Sequence, residues 1–446
     1  MSFCFWRVFV AGIKFYAGNT GFGEHGGECK PVSGNGCASA PGKHGRQQFS
    51  FHLHVDRYNI KCGTKCGKNG REDCTGDKRI KRNELAKKII IAGGGTGGHI
   101  FPAIAIANAL KKKDSDTQIV FVGAKGKMEM EKVPQAGYPI RGLDIAGLNR
   151  SSLIKNIWLP FKLIKSFYQV RKIINEFNPD AVVGVGGYSS FPALRYAQQK
   201  GIATFIHEAN SFAGKANMQL GKRAKKIFTG TKGMEKFFPA DKIMVTGNPV
   251  RKSIVQSHIS KAEGLQFFGL ETGKKTILVT GGSLGAKTIN EAIAAHITEF
   301  EKNDVQLIWQ TGKLFTAEAK DLAKGKTNIW TNDFITQMEY AFAAADVVIS
   351  RAGAMSVAEL CVVKQAVIFV PYPFAAEDHQ TVNAQQLVQQ NAAILVKDSD
   401  AKEQLVDTAI SLAKDEQRQQ VLKMNIGRLA ITNADEIVAE EILKNI

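Results

Sequence analysis

Six small residues in a row, Gly93, Gly94, Gly95, Thr96, Gly97 and Gly98, run straight into His99 and an apolar stretch, IFPAIAIANAL. Glycines let a backbone turn sharply and approach a ligand, and the helix expected from about His99, with Pro102 in its first turn, offers free N–H groups and partial positive charge. That combination suits an anion. The spacing also satisfies G-x-G-x-x-G, but a dinucleotide site needs an acidic residue at the end of the next strand, and QIVFVG ends in Gly123, Ala124 and Lys125. His99, at the helix start, could take a proton near neutral pH, position a phosphate, or cap the helix locally.

A second loop of this kind, Gly281, Gly282, Ser283, Leu284, Gly285 and Ala286, follows TILVTGG and opens another helix. Lys287 and Thr288 come next, yet Ala286 stands where a Walker loop requires glycine, so a P-loop is a near miss. A third loop, Gly184, Gly186 and Gly187 with Tyr188 and Ser189, also joins a strand to a helix. Three such turns at strand ends, two of them opening matched domains, favour an interdomain cleft for a phosphorylated ligand. Two D-x-D triplets, Asp114 with Asp116 and Asp398 with Asp400, read as turn and capping residues rather than metal ligands. No metal or other cofactor is expected.

The elements that must carry these loops follow a regular plan. From Lys87 onward KKIIIAG, QIVFVG, DAVVGVGG, ATFIHE, KKIFTG and IMVTGNP are apolar runs separated by helix-length sequence, including helices near 128 to 135 and across 152 to 176. Runs apolar on both faces mark parallel strands covered by helices. After the turn cluster Gly247, Asn248 and Pro249 the pattern restarts with TILVTGGS, a helix from about 286, QLIWQTG, NIWTND, DVVISRAG, AVIFVPYP and AAILVKD. The prediction is an α/β protein with two doubly wound parallel-sheet domains, 87–250 and 251–429, and a last helix of about 435 to 446 able to pack on either.

Residues 1–86 differ from this plan: they hold six of the seven cysteines, are rich in glycine and lack periodicity. Cys62, Cys66 and Cys74 lack a second pair at zinc-finger spacing. This segment is expected to be a disordered leader or, preferably, sequence upstream of the true start. Its apolar run is interrupted by Arg7 and Lys14, unlike a secretory signal. No stretch approaches the roughly 18 apolar residues of a spanning helix, and the lone downstream Cys361 suits a reducing compartment. A net charge of +18 allows nucleic acid, anionic membrane or polyanionic ligands as partners. It is spread along the chain without an RNA-binding motif, so nucleic acid is not expected.

Seven segments in order, GGGTGGH at 93, GVGGY at 184, HEANSFAG at 207, GNPVR at 247, GGSLGA at 281, SRAGAMSVAEL at 350 and EDHQTVNA at 377, together resemble the MurG family. These are bacterial enzymes that add N-acetylglucosamine to the lipid-linked muramyl-pentapeptide precursor of peptidoglycan. The resemblance implies a GT-B glycosyltransferase whose C-terminal domain holds UDP-N-acetylglucosamine and whose N-terminal domain faces the undecaprenyl-diphosphate-linked acceptor. It also implies inverting transfer to the muramyl 4-hydroxyl and a final helix, about 430–446, that returns to the first domain.

By the same resemblance Thr96, Gly97, Gly98, Asn210, Arg251 and Ser283 match donor contacts, and Ile335 matches a position at the uracil, although it reads equally as core. Ala354, Met355, Ser356, Val357, Ala358 and Glu359 would open a helix towards the diphosphate, with Glu359 on the ribose hydroxyls; Gln380 would bind the sugar. His99 would serve as base or meet acceptor phosphate. Ala209 departs from the family, which usually has glutamine there, and so removes a possible amide contact near the sugar.

A lipid-bound acceptor calls for a peripheral enzyme on the cytoplasmic face of the membrane. Residues 153–172 interleave Ile154, Ile157, Trp158, Phe161, Ile164 and Phe167 with Lys155, Lys162, Lys165, Arg171 and Lys172. Such a mixture suits docking on anionic lipid, with Ile157, Trp158, Phe161 and Lys162 as expected contacts, although much of the helix must pack on the sheet. The rival functions are another GT-B glycosyltransferase, or an epimerase of UDP-N-acetylglucosamine with similar architecture.

Overall fold

The structure, a computed structural model, describes residues 86–147, 159–282, 284–375 and 378–446. The leader expected over residues 1–86 and the expected contacts Ile157 and Trp158 fall outside this range apart from Ala86, as does Ser283. In the first lobe the strands are β1 Lys88–Ala92, β2 Gln118–Ala124, β3 Ile140–Leu143, β4 Ala181–Gly184, β5 Ala203–Glu208, β6 Lys226–Thr229 and β7 Ile243–Val245. Its helices are α1 Gly97–Lys113, α2 Glu129–Gln135, α3 Leu159–Phe177, α4 Ser190–Gln199 and α5 Lys215–Gly221.

The second lobe has β8 Lys275–Thr280, β9 Val305–Gln310, β10 Ile329–Asn332, β11 Val347–Ser350, β12 Ala366–Phe369 and β13 Ile394–Leu395. Helices α6 Lys252–Val255, α7 Lys261–Phe268, α8 Lys287–Ala295, α9 Ile297–Lys302, α10 Thr316–Ala323 and α11 Met338–Ala344 accompany them. They are followed by α12 Ala354–Val362, α13 His379–Val388, α14 Ala401–Lys414 and α15 Glu416–Gly427. The last helix, α16 Ala434–Lys444, belongs spatially to the first lobe.

Every strand pairing is parallel, in the orders β3-β2-β1-β4-β5-β6-β7 and β10-β9-β8-β11-β12-β13. Ile89, Ile90 and Ile91 of β1 are each 0% exposed, because helices cover both faces of the sheet. Each such side chain contributes about 1.5–3 kcal/mol. In both sheets the strand order reverses beside the first strand, between β1 and β4 and between β8 and β11. Chain leaving the carboxyl ends at such a reversal splays to opposite faces and opens a crevice. The turns at 93–98 and 184–189 flank the first crevice, and those at 281–286 and 350–354 flank the second.

Three local expectations change. Helix α1 starts at Gly97 rather than near His99, since the Thr96 carbonyl already accepts from His99 N and Ile100 N at 3.1 and 3.2 Å. Pro102 therefore lies in the second turn, not the first. No α-helix separates β6 from β7: a short 3₁₀ turn, Ala240–Lys242, does. Strand β3 was not apparent in the sequence; it sits at the sheet edge and only Leu143 of its four residues is buried.

The chain crosses back after α15. Val438, Ala439 and Ile442 of α16 join the core formed by Ile89, Ile91, Ile106 and Leu110. Ion pairs Lys112–Glu436 at 2.7 Å and Lys113–Glu440 at 3.0 Å border that contact.

Candidate active site at the lobe junction

The first glycine turn is held by its own lobe. Glu129, at the start of α2 and 1% exposed, accepts from Gly95 N at 3.0 Å through one carboxylate oxygen and from Ala124 N at 3.0 Å through the other. A β-carbon at Gly94 would collide with that carboxylate. The space that a dinucleotide diphosphate would enter is thus filled by a buried acid, which strengthens the exclusion drawn from the β2 terminus. Glu129 itself drew no attention in the sequence, because nothing local to it distinguishes it from a helix-start residue.

His99 leans on the turn after β4. Its Nδ1 lies 3.0 Å from the Val185 carbonyl, which can only accept, so Nδ1 carries the proton and Nε2 keeps a lone pair. Gly186, at φ +98°, allows this contact: a β-carbon there would lie 2.6 Å from His99 Nδ1. Burial lowers the His99 pKa from 6.5, and the nearby Glu208 and Glu129 carboxylates only partly oppose that shift. The ring is neutral near pH 7 and suited to accept a proton. Thr96 precedes it as an exposed N-cap whose hydroxyl makes no capping bond.

The segment HEANS organises the junction between the lobes. Glu208 accepts from Asn210 N at 3.2 Å, Gly214 N at 3.1 Å and Asn217 Nδ2 at 2.9 Å. The Asn210 side chain also reaches Glu208, at 3.4 Å. Ser211 donates to Asn383 of α13 at 2.8 Å, and Asn248 donates to the carbonyls of Ala209 at 3.1 Å and Ala354 at 3.4 Å. Sequence motifs flagged these segments; the long-range partners of Ser211, Asn248 and Asn383 were not legible. Ala209 is buried against a cavity of about 430 Å³ on the side of α12 lined by Ala354, Val357, Ala358 and Cys361.

The other side of α12 faces the first glycine turn. A β-carbon at Gly98 would lie 4.0 Å from Met355 Cγ, so residues of two separate motifs meet across the cleft. Helix α12 begins without a side-chain cap and without acid in its first turn. Glu359, on that helix, pairs with Arg251 Nε at 2.9 Å, and the Arg251 guanidinium sits 4.9 Å from the Phe101 ring centre. Gln380 accepts from Tyr372 N at 3.0 Å. Ile335 is 2% exposed, and its N–H is spent on Gln310 Oε1 at 3.2 Å, so its side chain is core.

Two other candidates resolve differently. Asp114 forms the expected turn, accepting from Asp116 N and Thr117 Oγ1. Asp398 and Asp400 form the expected turn, a 3₁₀ turn that puts Asp400 at the start of α14, but neither carboxylate caps the helix: Asp398 bonds Arg351 and accepts from Thr288 at 3.0 Å. Among the described residues no group of three or more His, Cys, Asp or Glu could hold a metal. Lys287 is exposed and pairs with Glu291 at 3.5 Å.

Comparison with known proteins extends these observations. Residues 89–229 match the glycosyltransferase family 28 N-terminal domain and residues 276–438 the family 28 C-terminal domain. The UDP-N-acetylglucosamine–N-acetylmuramyl-(pentapeptide) pyrophosphoryl-undecaprenol N-acetylglucosamine transferase of Parabacteroides distasonis is 50% identical, over 80% of this chain and 98% of that protein. The chain belongs to the MurG family. The Phocaeicola vulgatus enzyme of the same name is 49% identical over 80% of this chain and 96% of that protein. The crystal structure of Acinetobacter baumannii MurG is 29% identical, with a TM-score of 0.63 over 80% of this chain and 99% of that one. A UDP-GlcNAc 2-epimerase from Neisseria meningitidis shares the fold alone, at 16% identity and a TM-score of 0.59 over 80% of this chain and 100% of that one. Membership of this family accounts for the two parallel-sheet domains of the fold.

Proposed function

We infer that this chain transfers N-acetylglucosamine from UDP-N-acetylglucosamine to the lipid-linked muramyl-pentapeptide, the step from lipid I to lipid II in peptidoglycan synthesis. The observation that carries this reading is near-complete coverage of relatives with that name at half identity, with the motif residues meeting where Gly98 faces Met355.

In this reading UDP lies on the C-terminal lobe. The diphosphate sits at the start of α12, where uncapped N–H groups and Arg251 offset its charge, and Glu359 accepts from the ribose hydroxyls. Thr96, Gly97, Gly98 and Asn210 reach the sugar from the N-terminal lobe, with Gln380 opposite. The muramyl 4-hydroxyl attacks the anomeric carbon from the face opposite UDP, so the bond to UDP breaks as the new one forms and the configuration inverts. His99 Nε2 takes the hydroxyl proton, and Val185 holds the ring in the tautomer that allows it.

The acceptor tail places the enzyme at the cytoplasmic face of the membrane. Phe161, Ile164 and Tyr168 of α3 are 65%, 66% and 73% exposed beside Lys162, Lys165, Arg171 and Lys172. Among the described residues no helix is long and apolar enough to cross a membrane. Incubation with labelled UDP-N-acetylglucosamine and a lipid-linked muramyl-pentapeptide analogue tests the function. Labelled acceptor is expected; conversion of the nucleotide sugar without acceptor would replace this reading with an epimerase.

A further inference from the structure

Arg251 touches both lobes at the cleft. Its Nε donates to Glu359 of α12 in the C-terminal lobe, and its guanidinium lies 4.9 Å from the ring centre of Phe101, on α1 of the N-terminal lobe. Both members of the ion pair are largely shielded, with side chains 20% and 12% exposed. Phe101 in turn is fitted against the glycine turn: a β-carbon at Gly97 would lie 3.1 Å from its Cε2.

An arginine side chain has several rotatable bonds, and a guanidinium at a cleft can settle in many places. A ring beneath its flat face removes most of those arrangements and leaves the in-plane N–H edge directed at acceptors. Here the acceptor is Glu359. A carboxylate beside a bound diphosphate would be repelled unless a cation is fixed between the two charges.

We propose that Phe101 is a positioning residue of the donor site, holding the Arg251 guanidinium so that it orients and neutralises Glu359 for the nucleotide. The inference rests on the donor roles of Arg251 and Glu359 given above. It gives the N-terminal lobe a part in nucleotide affinity through a residue that itself needs no contact with the nucleotide. Because the ring acts through Arg251, its removal affects binding of UDP more than the chemical step.

The test measures UDP affinity by calorimetry and the kinetics of transfer on the full chain. Phe101→Leu is expected to weaken UDP binding about three- to thirtyfold and to raise KM for the donor by a similar factor, with kcat at saturation unchanged. Phe101→Tyr restores both values. In an Arg251→Gln background Phe101→Leu costs nothing further. An equal loss in both backgrounds, or a fall in kcat at unchanged KM, would overturn the proposal in favour of a packing or catalytic effect. If the wild-type chain binds no UDP, the donor reading itself fails; if it does, and Arg251→Gln weakens binding while Phe101→Leu does not, this inference alone fails.

Discussion

In the N-terminal lobe the glycine turn after β1 is closed from within by the Glu129 carboxylate, which takes the N–H groups of Gly95 and Ala124. In the C-terminal lobe the turn after β8 closes instead on backbone, with Gly285 packed against Thr311 and Gly312, and the adjacent α12 faces Arg251. Both turns have the same glycine-rich sequence character and the same place in a strand–turn–helix unit. Their closures differ: one turn is held by a buried acid, the other packs on backbone alone. A glycine fingerprint therefore specifies a backbone shape, and the ligand is chosen by side chains that arrive from elsewhere.

If the N-terminal turn serves chemistry rather than nucleotide binding, the largest effect should come from its histidine. His99→Ala is expected to lower kcat about 10²- to 10⁴-fold with little change in donor KM. Since burial lowers the His99 pKa below 6.5 and the neutral ring is the active form, wild-type activity should decline on the acid side of that value. Unchanged turnover at saturating substrates would remove His99 from the reaction.

The acid that closes this turn should matter for folding. Removing Glu129 leaves two backbone donors, one buried and one partly buried, without a charged acceptor, each such bond contributing about 1.5–3 kcal/mol. Glu129→Ala should therefore cost about 4 kcal/mol in urea unfolding, whereas loss of activity at unchanged stability would mean that the carboxylate meets substrate.

A smaller effect concerns His207, which is 1% exposed. Burial pushes its pKa from 6.5 down to about 4. The unfolded chain binds that proton first, so the stability His207 supports is complete above pH 6.5 and declines as pH falls towards 4. The decline attributable to this residue is about 3 kcal/mol. Urea midpoints between those pH values should slope less steeply in His207→Gln than in the wild type; parallel slopes would assign the titration to other groups. Smallest of all, replacing Phe161, Ile164 and Tyr168 with serine should weaken sedimentation with anionic vesicles about tenfold. Binding that does not change would exclude α3 as the membrane face.

Much of the fold was legible because it is doubly covered. Strands such as KIIIA and VVIS are apolar on both faces and followed within three residues by glycine, so their type and their parallel pairing could be read directly. Strand β3, IRGL, was not, since an edge strand with one buried residue has no such run. The positions of the glycine turns at the two strand-order reversals followed from the βα alternation. What the motifs could not convey was partnership. Glu129 acts on Gly95 across 34 residues and Arg251 on Glu359 across 108, and neither link leaves a periodic trace in sequence. The turn read at Asp398 and Asp400 was legible, but the ion pair that occupies the Asp398 carboxylate was not, because Arg351 lies 47 residues away in sequence and beside it in space.

The division of labour between the two turns is most directly tested by a crystal structure of the chain with UDP. The diphosphate is expected within hydrogen-bonding distance of the first-turn amides of α12, near Met355 and Ser356, with Arg251 alongside and Glu359 on the ribose. A diphosphate seated instead on the Gly93–Gly98 turn, with α12 unoccupied, would contradict the account.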